Sequence, residues 1–301
     1  MTGVPTQAFS SEWLAFESGQ RIGRMAASEA VNGKSYYNGG LRFENRGMSV
    51  EINADPAFRY RDNNAVPGRL MKPPPTKYIA QLEGVRELAL LGAAELSWWR
   101  DHLAAEELEP VEVDGQAQVL VTGLDSKWMG IGFRDLSVTV AARYQSGLAE
   151  AGFFLARAFN ASRFFAGFER WWFHLPYSRR AVRVELGTTA SMRLGREPDV
   201  DLLAELGSRE SSGEPVPVQE MGYTGPLFLP KGRTKRRWLM VRIHGLTSTF
   251  DFDANRDRFE IGSGCADPIF AGLRASRFRG IQWHLRRSAT HARSKTFQVR
   301  S

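Results

Sequence analysis

The sequence predicts a mainly β protein with minor α structure, in which antiparallel strands close into a barrel with one or more peripheral helices. Short runs of alternating apolar and polar residues recur along the chain, and glycines separate many of them. Only one segment has a clear helical period. Closing such strands into a barrel removes exposed edges that would pair with other chains. We therefore expect a β-rich unit in which loops and the barrel interior carry any chemistry.

The alternation continues from the middle of the chain to its end. In residues 180–186, RAVRVEL, apolar side chains alternate with charged ones, which is typical of a strand with one buried face. Residues 85–103 differ, because their apolar positions recur at three and four and predict an amphipathic helix. Further strands are predicted in QAQVLVTGL, FRDLSVTVAARY, EAGFFLARAF, RRWLMVRIHGL, STFDFDA, RFEIGS and KTFQVRS.

Turn-forming stretches suggest how the chain is organised. Residues 31–53 contain Asn-Gly pairs between short alternating runs, which is typical of hairpins. The run KPPPT at 72–76 excludes a helix interior or a central strand. We therefore expect residues 1–75 to form an amino-terminal β-rich extension packing on a barrel at 76–301. The Ser, Gly, Pro and Glu content of residues 204–222 predicts a mobile loop.

The composition predicts a cytoplasmic protein with a sizeable core. The 301 residues are 43% hydrophobic, and the single cysteine, Cys265, excludes an intramolecular disulfide. The amino terminus lacks a signal-peptide pattern, and no apolar run is long enough to cross a bilayer. We expect no membrane partner.

The net charge of +7 lies near the carboxyl terminus. After Asp267 the chain has eight Lys and Arg residues and no acidic one, which leaves residues 1–267 at −1. This basic segment could contact phosphate groups, form a solvated face, or bind acidic groups elsewhere in the fold or in a homo-oligomer. Its three aromatic residues, Phe278, Trp283 and Phe297, are too few for a single-strand stacking platform, so nucleic acid is the least favoured partner.

Common catalytic and metal-binding motifs are missing from the sequence. It has no P-loop and no G-x-S-x-G elbow, and the glycines at 130–132 open no Rossmann helix. The five histidines lack the spacing of metal ligands, and the acidic residues at 251–257 lack the glycine of a calcium loop. We therefore expect no metal and no other cofactor.

The succession of segments around residues 168–185 resembles a known family. ELEPVEVDGQAQVLVTG, GFRDLSVTVAARY, AGFFLARAF and RWWFHLPYSRRAVRVE, with the later LFLPKGRTKRRWLMVRIHG, are similar to acetoacetate decarboxylase-like proteins over roughly residues 80–250. They are most similar to an uncharacterised branch with a Leu-Pro-Tyr turn. The resemblance implies a cone-shaped antiparallel β-barrel around a partly polar pocket.

The resemblance also shows what this chain lacks. In the decarboxylases, a Gly-Arg-Glu precedes Pro-Lys-Lys, and the first lysine forms a Schiff base with the keto acid. Here the arginine corresponds to Arg170 and the proline to Pro176, while the two lysines fall on Tyr177 and Ser178. Neither residue can form an imine. Schiff-base decarboxylation is therefore not expected unless a lysine such as Lys127 enters the pocket.

The same correspondence assigns the remaining candidate residues. The motif's glutamate falls on Trp171, its second glycine on His174, and a separate carboxylate of the family on Asp135. An arginine pointing into a barrel needs an anion, either a carboxylate of the protein or one of a ligand. We expect Tyr177, His174 and Asp135 to be catalytic and Arg170, Trp171, Glu169 and His244 to bind substrate.

Three functions remain open from the sequence. The first is a pocket for a small carboxylated or carbonyl metabolite, with lyase, dehydratase or isomerase activity that uses no imine lysine. The second is a non-enzymatic carrier or sensor on the same barrel, in which the aromatic residues only pack. The third is a nucleic-acid-associated protein that uses the basic segment.

Overall fold

A computed structural model of the protein describes residues 42–45, 48–51, 76–128, 130–145, 151–209, 218–232 and 235–300. Strands dominate these residues, which confirms the mainly β prediction. The strands are β1 Arg42–Asn45, β2 Met48–Glu51, β3 Tyr78–Glu95, β4 Leu108–Pro110, β5 Glu112–Val113, β6 Gln116–Trp128, β7 Ile131–Tyr144, β8 Gly152–Asn160, β9 Tyr177–Arg179, β10 Val182–Leu186, β11 Ala190–Arg196, β12 Asp199–Leu206, β13 Val218–Gly232, β14 Lys235–Asp251, β15 Arg258–Ile261, β16 Arg279–Ser294 and β17 Phe297–Arg300.

Three helices lie between the strands of the described residues: α1 Leu96–Ala104, α2 Arg163–Trp172 and α3 Pro268–Ala275. In this part of the chain, no helix combines the length and apolar character that a membrane span requires.

Seven strands close into a barrel. Hydrogen-bonded neighbours follow the order β14, β16, β3, β6, β7, β8 and β13, and β13 pairs back with β14. Most of these pairs are antiparallel, as predicted, but β8 and β13 meet as a short parallel pair at Phe153 and Phe154. The barrel therefore has a continuous wall with distinct inner and outer faces.

The outer face of the wall is covered by a second layer. Leu136, Val138 and Val140 of β7 are fully buried in one cluster with Met192 of β11, which belongs to the four-stranded sheet β10–β11–β12–β15. The same cluster includes residues of α1 and α3. Because successive side chains of a strand point to opposite faces, Asp135 faces the barrel interior.

One end of the barrel is closed by α2. The helix begins after Ser162, whose side chain accepts a hydrogen bond from the backbone N–H of Phe165. The ring of Phe165 packs against Val85 of β3, Leu124 of β6 and Phe133 of β7, together with a residue of β16. The helix is thus anchored to four wall strands at once.

The helix predicted over residues 85–103 is wrong for most of its length. Residues 85–95 belong to β3, and the helix α1 covers only the end of the segment. Val85 packs in the inner cluster with Phe165, whereas Leu88 and Leu90 pack in the outer layer. Two buried faces of one strand therefore produced the three-and-four spacing that resembled a helical stripe.

Other predicted boundaries also shift. The loop expected at 204–222 is shorter at both ends, because β12 continues to Leu206 and β13 begins at Val218. Residues 210–217 lie outside the described residues, as do the Asn-Gly pairs between 31 and 39. The runs RRWLMVRIHGL and STFDFDA form one strand, β14. The division of the chain at residue 75 stays a prediction.

We predict that Gly92→Ala destabilises the fold. A Cβ atom at this β3 position would collide with the ring of Phe278 and the backbone carbonyl of Arg279, so strand or ring must shift. Overpacking of this kind costs about 1–3 kcal/mol of unfolding free energy, measurable by urea denaturation. Gly132→Ala is the matched control, because nothing lies near its Cβ. Equal stability of the two variants would contradict this packing.

Candidate functional site

Asp135 and Tyr177 meet through the arrangement of three strands. Asp135 of β7 lies opposite Asn160 of β8, and β8 pairs in parallel with β9, which places Tyr177 beside Ala158. The Tyr177 hydroxyl donates a hydrogen bond of 2.6 Å to Oδ2 of Asp135. Asp135 itself is only 5% exposed. The structure therefore brings together two of the three predicted catalytic residues.

Glu169 adds a buried ion pair beside them. The carboxylate lies on α2 and accepts hydrogen bonds from Nη1 and Nη2 of Arg293 on β16, at 2.6 and 2.8 Å. The same guanidinium lies over the ring of Phe173, 4.1 Å from its centre. Such a bidentate arrangement fixes both partners in position. It ties α2 to the barrel wall next to Asp135.

These surroundings raise the pKa of Asp135 from its usual 3.8 to about 7. Burial is the largest cause, and the negative charge of Glu169 adds to it. Hydrogen bonding from the Tyr177 hydroxyl and from the backbone N–H of Leu136, together with the charge of Arg293, opposes the rise. Burial also raises the pKa of Tyr177 well above its usual value. At neutral pH Tyr177 is therefore a proton-bearing donor, and Asp135 is the group that can take up or release a proton.

Several buried polar atoms around Asp135 have no hydrogen-bond partner of normal geometry within the described residues. They include Oδ1 of Asp135, Nδ2 of Asn160 and Oγ of Ser126. Unsatisfied buried groups are rare and costly in folded proteins. Asn160 lies directly opposite Asp135 in the pairing of β8 with β7, so these two side chains share one face of the wall.

A second polar cluster continues along β16. Nη1 of Arg286 binds Oε1 of the buried Glu87, and its Nε donates 2.9 Å to Oγ1 of Thr247. Nε2 of His291 lies 2.6 Å from Oε2 of Glu87. Burial alone would raise the pKa of Glu87, but Arg286 and His291 outweigh it and lower the pKa to about 2. Burial lowers the pKa of the neighbouring His284 to about 4, so that ring is neutral at pH 7.

Three residues predicted to line the pocket point away from it. Arg170 is exposed on α2, because it follows Glu169 by about 100° around the helix and Glu169 faces the barrel. Trp171 is 78% exposed. His174, with a φ of 56°, is exposed in the turn before β9. The expectation of an inward guanidinium at Arg170 is therefore wrong, and Arg293 occupies that role.

His244 lies on the other face of β14. Val241 of the same strand packs in an inner cluster with Leu175 and Tyr177. Residues three apart on a regular strand face opposite sides, so His244 is directed outward. It therefore does not join Asp135.

The sequence interpretation missed Arg293, Arg286, His291 and Glu87. Glu87 and His291 are not among the site residues predicted from the sequence, and Arg286 and Arg293 belong to the basic segment after Asp267. That segment forms β16, a strand in the middle of the barrel wall. For Arg286 and Arg293, the structure favours the alternative in which they bind acidic groups elsewhere in the fold. The spacing of two between His291 and Arg293 is compatible with one face of a strand, but it does not indicate which residues they contact.

The lysines whose side chains the structure describes do not reach Asp135. Lys77, Lys127 and Lys295 are exposed. Lys231 pairs with Glu107 at the loop after α1. The exposure of Lys127 contradicts the suggestion that it enters the pocket.

Other parts of the described chain offer less chemistry. A surface groove on the four-stranded sheet is lined by side chains such as Arg193, Glu197, Arg258 and Glu260, which already form ion pairs. Within the described ranges, no three His, Cys, Asp or Glu side chains converge as metal ligands. The barrel interior is the better candidate site.

Comparison with solved structures finds likeness in fold at low sequence identity. The enduracididine biosynthesis enzyme MppR, with HEPES bound or with the condensation product of pyruvate and imidazole 4-carboxaldehyde, has TM-score 0.50 at 10% identity. The match covers 74% of this chain and 89% or 90% of MppR. Acetoacetate decarboxylase from Legionella pneumophila has TM-score 0.48 at 14% identity, with 79% of this chain and 94% of that one covered.

No protein-family model and no curated protein sequence matches the chain. The likeness to MppR nevertheless shows the fold, a β-barrel with minor helices, which is the fold predicted from the sequence. The assignment to a branch with a Leu-Pro-Tyr turn stays a prediction.

We predict that Asp135 makes the protein less stable as pH rises. The pKa of Asp135 is about 7 in the folded protein and near 3.8 in the unfolded chain. Its stabilising contribution to the free energy of unfolding is therefore fully present below pH 3.8 and is lost as pH rises through 7. Relative to Asp135→Asn, the wild type should lose about 3 kcal/mol of unfolding free energy between pH 5 and 8. Urea denaturation at both pH values measures this. The control is Asp101→Asn, at an exposed position of α1. Parallel pH profiles for wild type and Asp135→Asn would contradict the raised pKa.

We predict that no imine forms with β-keto acids. Tyr177 and Ser178 cannot provide an amine, and the lysines described above are exposed or ion-paired. Borohydride reduction in the presence of acetoacetate should leave the protein mass unchanged in mass spectrometry. A stoichiometric adduct at one lysine would show that a nucleophile reaches the substrate after all.

Proposed function

We propose that the barrel interior binds a small carbonyl or carboxylate metabolite and that Asp135 transfers a proton to or from it. The observation that carries the proposal is the buried Asp135 carboxyl, whose Oδ2 accepts the Tyr177 hydrogen bond while Oδ1 has no partner of normal geometry. Buried titratable groups with pKa values near neutrality are characteristic of active sites.

The two groups are suited to different steps. Asp135, with a pKa of about 7, can act as a base in its ionised form and as an acid in its protonated form. Tyr177 keeps its proton and can donate a hydrogen bond to a carbonyl oxygen or to Asp135. Proton removal next to a carbonyl group uses this combination, because the negative charge that develops on the oxygen is stabilised by the donor.

The reaction class that fits is a lyase, dehydratase or isomerase reaction through an enol or enolate. Each of these can begin with removal of a proton next to the carbonyl group, without a covalent bond between protein and substrate. In an isomerisation a proton then returns at another atom, whereas in a dehydration the enolate expels the hydroxyl group, which leaves as water after taking a proton from the protonated acid. MppR, which shares the fold, has been crystallised with the condensation product of pyruvate and imidazole 4-carboxaldehyde. That complex supports a carbonyl compound as a first choice of probe for this chain.

The proposal predicts solvent proton exchange into a bound ketone. Wild-type protein in D2O should accelerate deuterium incorporation into the methyl group of pyruvate or pyruvamide, followed by proton NMR. Asp135→Asn should lower the rate about 10²–10⁴-fold, the usual contribution of a general base. Tyr177→Phe should lower it less, because Asp135 remains. Asp101→Asn should match the wild type.

The possible outcomes separate catalysis from binding alone. Binding of a probe without exchange, seen as a ligand-dependent rise in Tm, would contradict the catalytic part and favour the carrier or sensor. If none of these probes binds and none undergoes exchange, the proposal is contradicted. Exchange that survives Asp135→Asn would assign the proton transfer to another group.

A further inference from the structure

Charged side chains that the structure describes in the barrel interior pair with one another. Both arginines that β16 directs inward are paired with carboxylates: Arg293 with Glu169 at two hydrogen bonds, and Arg286 with Glu87. Arg286 is held further by Thr247. Each guanidinium therefore has its charge neutralised by a buried carboxylate of the protein, and a ligand carboxylate would meet a neutral ion pair.

The two histidines on this face of β16 do not supply the missing cation. Nε2 of His291 lies 2.6 Å from Oε2 of Glu87, so this ring nitrogen is engaged with a carboxylate of the protein. Nε2 of His284 lies 2.9 Å from Oε1 of Gln282, and the lowered pKa of this imidazole leaves it uncharged near pH 7. Among the described residues around Asp135, the two inward guanidinium groups of β16 are thus each paired with a carboxylate, and the other polar side chains offer hydrogen bonds.

The raised pKa of Asp135 indicates that the barrel interior disfavours an additional negative charge. The carboxyl is 5% exposed and lies near the Glu169 charge, and its pKa is raised to about 7. Burial and a neighbouring negative charge both disfavour its ionised form. A ligand carboxylate beside Asp135 would meet the same two penalties.

We infer that the ligand of the barrel interior is a neutral carbonyl compound rather than a keto acid, because Arg293 and Arg286 are neutralised by Glu169 and Glu87. This inference rests on the proposed function, whose site it deepens by naming the charge class of the ligand. The buried atoms of Asp135, Asn160 and Ser126 that lack a partner of normal geometry suit carbonyl, hydroxyl or amide groups.

Isosteric pairs of probes test the inference in the wild-type protein. Acetoacetamide and pyruvamide differ from acetoacetate and pyruvate chiefly by a neutral amide in place of the carboxylate. Calorimetric titration at pH 7 should give Kd values at least tenfold lower for each amide than for the matching acid. Equal or tighter binding of the acids, with the pocket occupied, would overturn the inference and leave the proposed function standing. Binding of none of the four would overturn both.

A variant of Glu169 tests the cause of the preference. Glu169→Gln removes the charge that neutralises Arg293 while keeping an oxygen that can accept from it. The preference for the amide over the acid should narrow at least fivefold, because Arg293 then attracts the anion. Glu185→Gln, on an exposed position of β10, should leave the ratio unchanged. An unchanged ratio in folded Glu169→Gln protein would overturn the assignment of the preference to this ion pair.

Discussion

Closure of the seven-stranded sheet, through the pairing of β13 with β14, is the constraint on which the rest of the structure depends. In a closed wall, every second side chain points into a shared interior that is shielded from bulk water. Charges placed there must be paired or neutralised. Two of these charges are paired: Arg286 with Glu87, and Arg293 with Glu169. Asp135 contacts the Tyr177 hydroxyl instead of a cation, and its carboxyl stays neutral by keeping its proton up to about pH 7.

The helix α2 links the closure of the barrel to the chemistry of the interior. Its Phe165 packs on four wall strands, its Glu169 pairs with Arg293, and the chain after it leads directly to Tyr177. Outside the barrel, Arg157 joins Ser178 of β9 to Asp267, the N-cap of α3, and so holds β9 in place. A displacement of α2 or β9 would therefore change the electrostatic surroundings of Asp135. Packing and proton affinity are coupled in this part of the fold.

Much of the fold was predictable from the sequence, because alternation in segments such as RAVRVEL reports a strand with one exposed face. Strand β3 was mistaken for a helix because the closed wall buries both of its faces and removes the alternation. Asp135 and Tyr177 were predicted through the family resemblance, and Glu169 through the need of a buried arginine for an anion. Arg170 was misplaced because its helical position next to Glu169 turns it outward. Arg293 could not be found, since its partner lies 124 residues away in sequence and only the barrel brings them together.

The central claim is that Asp135 takes up and releases a proton near neutral pH inside the barrel. Carbon-13 NMR of protein labelled at the aspartate carboxyl carbons, with the Asp135 signal assigned by its absence in Asp135→Asn, measures that titration directly. The account predicts a midpoint near pH 7, since burial and Glu169 disfavour the ionised form. A midpoint at or below the usual value for aspartate, near 4, would contradict it.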